Sequence, residues 1–217
     1  MNRPRVLVID AGLGNIGSVM SALQRHDCTA ERVHKPPASA STFDYTHAVL
    51  PGVGSFASGI EALRASGWEI WIKDVWCKAD RPFLGICLGM QLLATDGMEG
   101  SNENDAVPGL DLIPGRVDRL DVDPQLVLPH VGWNSLHWQI PSNPLSLGLP
   151  DRGDMYFVHS YTFKPCDPSH ELAISDYGRN FTAVVGRGPC YGVQFHPEKS
   201  QRLGRLLLAN FLALQAC

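Results

Sequence analysis

Three short apolar runs, each closed by a glycine-containing turn and each followed by helical spacing, organise the first half of the chain. Val6 to Ile9 is continuously apolar, as a strand covered on both faces should be. Asn15 to His26 follows, with Ile16, Val19, Met20 and Leu23 one helical turn apart. The stretches "HAVLPGVG" and "RPFLGICLG" repeat the strand-then-glycine pattern ahead of further helical segments. Such alternation predicts parallel strands joined by crossover helices. The tryptophans of "WEIWIKDVW" fall at about helical spacing and read as core.

The texture changes after Asp96. "DGMEGSNENDAVPGL" is polar and rich in turn residues, which predicts an exposed loop. Short strand candidates come next: "GRVDRL", "QLVLPHV", "MYFVHSYTF", "LAISDYG", "FTAVVGRG" and "YGVQFH". With little helix between them, they predict a mixed or antiparallel extension of the sheet. Leu203, Leu206, Leu207, Asn210 and Phe211 then place an apolar stripe on a last helix. The fold class is therefore α/β, and 217 residues fit one domain, 1–217, better than two.

Composition narrows the function. Charged residues are 18% of the chain and the net charge is -4, which excludes a disordered segment and a basic nucleic-acid face. The run-in Met1-Asn2-Arg3-Pro4 holds no signal-like or membrane-spanning segment, so a cytoplasmic protein without membrane contact is expected. Six cysteines lack any C-x-x-C pair and eight histidines lack ligand spacing, which predicts free thiols and no metal. Gly12 to Gly17 spells G-x-G-x-x-G, the dinucleotide fingerprint. A ribose-binding acid should follow, but His34 and Lys35 stand where it belongs and Glu31 comes too early. The glycines read as a tight turn, and no cofactor is expected.

"FLGICLGMQLL" carries more chemistry. Cys87 lies between two glycines where an apolar strand should turn into a helix, like a nucleophile elbow with sulfur in place of oxygen. There the helix end favours thiolate, and the Leu88 amide can face a developing oxyanion. Alone, the segment fits a buried structural cysteine equally well. In "YGVQFHPEKS", His196 and Glu198 are two apart on a chain that Pro197 holds extended, so the carboxylate can orient the imidazole. "LPGVGSF" ends another buried strand, and its Gly52-Val53-Gly54 turn can offer amides opposite Cys87.

Together, "PGVGSF", "GICLGMQLL" and "GVQFHPEKS" resemble the class I, or triad, glutamine amidotransferases. That resemblance implies a flavodoxin-like open, mostly parallel sheet flanked by helices, and a triad of Cys87, His196 and Glu198. It further implies an oxyanion hole from the amides of Val53 and Leu88, and glutamine held by Gly52, Gly54, Gln91, Tyr156, His159, Ser160 and Tyr161. Met90, "PHVGWN", "YFVHSY" and Lys199 resemble the branch serving imidazole glycerol phosphate synthesis in histidine formation. The implied partner is a (β/α)8-barrel cyclase docking on Asn15, Trp133, Asn134 and Lys199. A subunit of another synthase, such as anthranilate synthase, is the alternative. His159 as a second base is the lesser reading, since a strand-end histidine is more often packed and hydrogen-bonded.

Overall fold

The structure, a computed structural model, describes residues 3–38, 44–101 and 105–215. The first half contains β1 (Arg5–Ile9), α1 (Ile16–Leu23), β2 (Thr29–Val33), β3 (His47–Gly52), α2 (Phe56–Ala65), α3 (Trp68–Ile70), β4 (Phe83–Cys87) and α4 (Leu88–Gln91). Helix α3 runs on through a π turn, Trp71–Trp76, and a 3-10 turn, Cys77–Ala79. The second half contains β5 (Asp96–Gly97), β6 (Val107–Pro108), β7 (Gly115–Arg119), β8 (His130–Trp138), β9 (Arg152–His159) and β10 (Tyr161–Pro165). It closes with β11 (Glu171–Asp176), β12 (Asn180–Arg187), β13 (Cys190–Val193) and α5 (Gln201–Leu212).

A nine-stranded sheet has the order β2-β1-β3-β4-β13-β12-β11-β8-β9. Neighbours from β2 to β13 pair in parallel and those from β13 to β9 antiparallel. The parallel half has the 2-1-3-4-5 order of flavodoxin-like folds, in which ligands bind beyond the carboxyl ends of the strands. Alternation along β1 divides the core: Val6 and Val8 join the layer holding α1 and α5, while Leu7 and Ile9 join that of α2 and the tryptophans. Trp71 sits edge-on to Trp68 and stacks on Trp76, with ring centres 5.1 and 5.2 Å apart, so these rings are core as expected.

Three expectations need correction. The polar stretch after Asp96 is not wholly an exposed loop, because β5 and β6 join β7 and β10 in a four-stranded second sheet. Its glycines serve close packing: a Cβ on Gly97 would lie 2.7 Å from the Phe56 ring, and one on Gly109 would lie 2.2 Å from the Ala94 carbonyl. "QLVLPHV" is mostly turn, with Leu126 N–H donating to the Asp123 carbonyl, and β8 starts only at His130. "MYFVHSYTF" is two strands in different sheets, parted at Ser160.

The glycine fingerprint forms a left-handed turn after β1, with Gly12, Gly14 and Asn15 at φ 79°, 74° and 53°. A Cβ on Gly14 would meet the Val53 side chain at 3.0 Å. Asp10, buried at the end of β1, accepts from the Gly12 amide at 3.0 Å and pairs with Arg32 of β2 at 2.6 Å. Among the described residues no helix is long and apolar enough to cross a membrane.

Candidate active site

The ends of β3, β4 and β13 lie side by side, with Gly52 opposite Cys87 and Ile86 opposite Val193. Cys87 holds φ 54° and ψ -109°, a region that costs a residue with a side chain about 1–3 kcal/mol and is tolerated where the surroundings fix it. The flanking glycines make this turn sterically feasible. A Cβ on Gly85 would lie 2.4 Å from the Gly89 carbonyl, and one on Gly89 only 1.8 Å from the Leu50 carbonyl. The elbow expected from "GICLG" is therefore present, at the start of α4.

His196 and Glu198 follow the end of β13, and the expected pairing forms, but not on the extended chain expected there: His196 is extended at φ -98° and ψ 96°, while Pro197–Lys199 is a 3-10 turn that brings Glu198 back to the imidazole. His196 Nδ1 and Glu198 Oε1 are 2.7 Å apart, with both side chains almost fully buried. Nε2 of the ring makes no conventional hydrogen bond. Burial pushes the imidazole pKa down, but the Cys87 sulfur and then Glu198 favour the charged ring more strongly, and the net effect raises it to about 9. Two further contacts brace the pair. Asn15 Nδ2 donates to Glu198 Oε1 at 2.7 Å, while Ser200 Oγ donates to the His196 carbonyl at 2.6 Å and accepts from the Tyr156 amide at 3.0 Å. Asn15, assigned by resemblance to the docking face, thus spends its amide on the relay.

Cys87 opens onto a cavity of about 290 Å³ lined by Val53, Gly54, Leu88, Gln91, Glu99, His159, Ser160 and Tyr161, among others. Gln91 Nε2 donates to the Tyr161 carbonyl and to Gln194 Oε1, both at 3.0 Å. His159 Nδ1 lies 2.9 Å from the Tyr161 carbonyl and Nε2 lies 3.1 Å from His130 Nδ1. A carbonyl only accepts, so Nδ1 carries the proton and the neutral ring's Nε2 accepts from His130. Burial lowers the His159 pKa to about 3. Neutral and with both nitrogens engaged, it is a wall of the cavity and is poorly placed as a base. The Val53 amide donates to the Leu13 carbonyl at 2.9 Å, so it is turned toward the loop after β1.

The remaining candidates divide. Tyr156 and Gly52 are not among the residues lining the cavity. Tyr156 pairs in register with Trp133 across β8 and β9, their rings 5.8 Å apart, and Lys199 Nζ lies 5.6 Å from the Tyr156 ring centre. Trp133, Tyr156 and Lys199 therefore form one surface cluster. Trp133 is 48% exposed and its same-face neighbour Val131 is 56% exposed. Asn134 points to the other face and donates to the Asp176 carbonyl.

The sequence reading missed Glu99 and Gln194. Glu99 lay in the stretch taken as exposed loop, although Ala57 N–H donates to its carbonyl and burial raises its carboxyl pKa. Gln194 is fully buried inside the "GVQFHPEKS" segment, where its place between His196 and an apolar strand gave no separate signal. Among the described residues no three His, Cys, Asp or Glu side chains converge as a metal site. The five cysteines there are free, and Cys217 lies outside the described residues.

The family description "Glutamine amidotransferase class-I" matches residues 7–214. The chain is 52% identical over 214 residues to the imidazole glycerol phosphate synthase subunit HisH 1 of Prochlorococcus marinus, covering 98% of each. It is 40% identical to the subunit HisH of a Synechococcus species, covering 100% of this chain and 96% of that one. A crystal structure of a glutamine amidotransferase from Thermotoga maritima superposes with TM-score 0.66 at 18% identity, covering 99% of this chain and 100% of that one. At that identity the superposition supports the fold.

Proposed function

The chain belongs to the class I glutamine amidotransferases, and from that premise we propose that it acts as the glutaminase subunit of an imidazole glycerol phosphate synthase in histidine biosynthesis. The observation that carries the chemistry is the buried His196–Glu198 contact beside the Cys87 elbow.

In this reading glutamine enters the 290 Å³ cavity with its side-chain amide at Cys87. Its α-ammonium group needs an anionic partner, and Glu99 supplies the carboxylate side chain in the lining. Gly54, Gln91, Ser160 and Tyr161 surround the rest of the amino-acid end. The sulfur attacks the amide carbon, and His196 gives its proton to the departing nitrogen, breaking the C–N bond and leaving a glutamyl thioester. Glu198 holds the imidazole tautomer and stabilises its charged form, and Asn15 holds Glu198. Water, deprotonated by His196, then releases glutamate.

The developing oxyanion takes the Leu88 amide directly. Val53 contributes only after its amide leaves the Leu13 carbonyl, and each such donor is worth about 3 kcal/mol. Docking of the partner near the loop after β1 would bias this two-state rearrangement. Free ammonia is mostly protonated near neutral pH, so direct transfer to a (β/α)8-barrel cyclase in the cytoplasm is the productive route. The exposed Trp133, the Tyr156 ring and Lys199 are the proposed docking cluster.

The test is glutamate release by the chain alone, with the cyclase subunit, and with the cyclase plus its ribotide ligand. Turnover rising at each addition supports the reading. Equal turnover alone and in complex would remove the Val53 switch, and no turnover in any mixture would remove the glutaminase assignment.

A further inference from the structure

Four polar groups form a buried chain that ends at the nucleophile, and their order fixes which atom faces the sulfur. The Tyr161 carbonyl only accepts, so the end of the Gln91 amide that meets it must be NH2. That same nitrogen contacts Gln194, so the Gln194 atom there must be the carbonyl oxygen. The other end of the Gln194 amide is then NH2, and it lies 3.8 Å from Cys87 Sγ. One backbone carbonyl thereby dictates that a donor, and not an acceptor, is presented to the sulfur.

The second polar contact of Cys87 has the opposite preference. Sγ lies 3.8 Å from the Val158 carbonyl, an acceptor that only a thiol can satisfy and that repels a thiolate. Gln194 is fully buried, so no water competes for its amide.

We propose that Gln194 is a positioning residue for the nucleophile, its side-chain N–H selecting thiolate over thiol and Gln91 locking the direction of that amide. This deepens the glutaminase reading and rests on it. Because Gln91 also lines the cavity, a glutamine that contacts it presses on the same chain, so occupancy of the amino-acid subsite and readiness of the sulfur are coupled.

Among the described residues the other titratable groups around Cys87 are His196 beyond β13, His159 at the end of β9, Tyr161 at the start of β10 and Glu99 across the cavity, and all four are retained in the test. The full chain is alkylated with iodoacetamide across a pH series, and the Cys87 peptide is followed by mass spectrometry in wild type, Gln194→Met and Gln194→Glu. The expected result is an alkylation profile displaced to higher pH in Gln194→Met, with roughly tenfold slower labelling on the acid limb for each unit of displacement and the same plateau rate. Gln194→Glu should be displaced further, because a carboxylate then faces the sulfur. Circular dichroism and a cooperative urea transition matching wild type establish that the variants are folded, since an unfolded chain would also label fully. If Met weakens packing, Gln91→Leu supplies the alternative, since it frees the Gln194 amide to turn and should displace the profile in the same direction. Profiles overlaying the wild type at full plateau would overturn the proposal. Labelling uses no glutamine, so absent turnover on glutamine in wild type would be read separately, as failure of the glutaminase assignment.

Discussion

Asn15 separates two accounts of the same residue, one as a docking contact and one as a member of the relay. Its amide donates at 2.7 Å to the Glu198 oxygen that also meets His196, and the Glu198 side chain is fully buried. The second oxygen, Oε2, has no hydrogen-bond partner. Asn15→Ala therefore leaves a buried carboxylate with the imidazole as its remaining donor. A hydrogen bond to a charged group is worth about 1.5–3 kcal/mol, which at about 1.4 kcal/mol per factor of ten is roughly a ten- to hundredfold loss in rate. The loss should fall on kcat, because the contact holds the Glu198 carboxylate that orients the imidazole for proton transfer and does not touch glutamine. The assay is steady-state glutamate release by the complex at saturating cyclase, with KM and partner affinity measured separately. Asn15→Asp should be worse than alanine, since it sets a second carboxylate against Glu198. An Asn15→Ala enzyme with kcat within twofold of wild type and weakened partner binding would refute the relay role and restore the docking one.

Val53→Pro removes the amide that now donates to Leu13. Turnover in the complex should fall about a hundredfold, the order expected for one lost oxyanion donor, while glutamine binding holds; undiminished turnover would show that Val53 is not such a donor. Glu99→Gln should raise KM for glutamine about tenfold with little change in kcat, as expected for loss of charge-assisted recognition, and an unchanged KM would place the α-ammonium elsewhere. Burial lowers the His47 pKa from 6.5 to about 4, so between those values the unfolded chain binds a proton that the folded chain refuses. The His47 contribution is intact above pH 6.5 and falls by about 1.4 kcal/mol per pH unit below it. In urea titrations between pH 7 and pH 4.5, stability should drop less steeply for His47→Gln than for wild type, and parallel curves would contradict the assignment.

Much of the site was legible because its chemistry is local in sequence. Cys87 sits between Gly85 and Gly89, whose missing side chains the close approach of the Gly89 and Leu50 carbonyls requires. His196 and Glu198 meet across a single proline. Contacts between distant segments were legible only where a strand-end motif or the family resemblance joined them, as for Gly52 and Cys87. Nothing near Asn15 in sequence points to Glu198, 183 residues away, and Glu99 lines the cavity from a stretch whose flanking β5 and β6 join the second sheet. Tyr156 was read with its neighbours in "YFVHSY", but strand alternation and cross-strand pairing place it beside Trp133. The break at Ser160 escaped for a related reason: the polar pair His159-Ser160 carries no glycine or proline turn signal between two strand-like runs, while the backbone changes sheets.

The central claim is that the Cys87 sulfur, activated by His196, opens the glutamine amide. It is tested most directly by glutamate release from glutamine in the reconstituted complex with its ribotide ligand, comparing wild type with Cys87→Ala of matched fold and partner affinity. Robust release by wild type and none above background by Cys87→Ala is the predicted result. Comparable release by both proteins would contradict it.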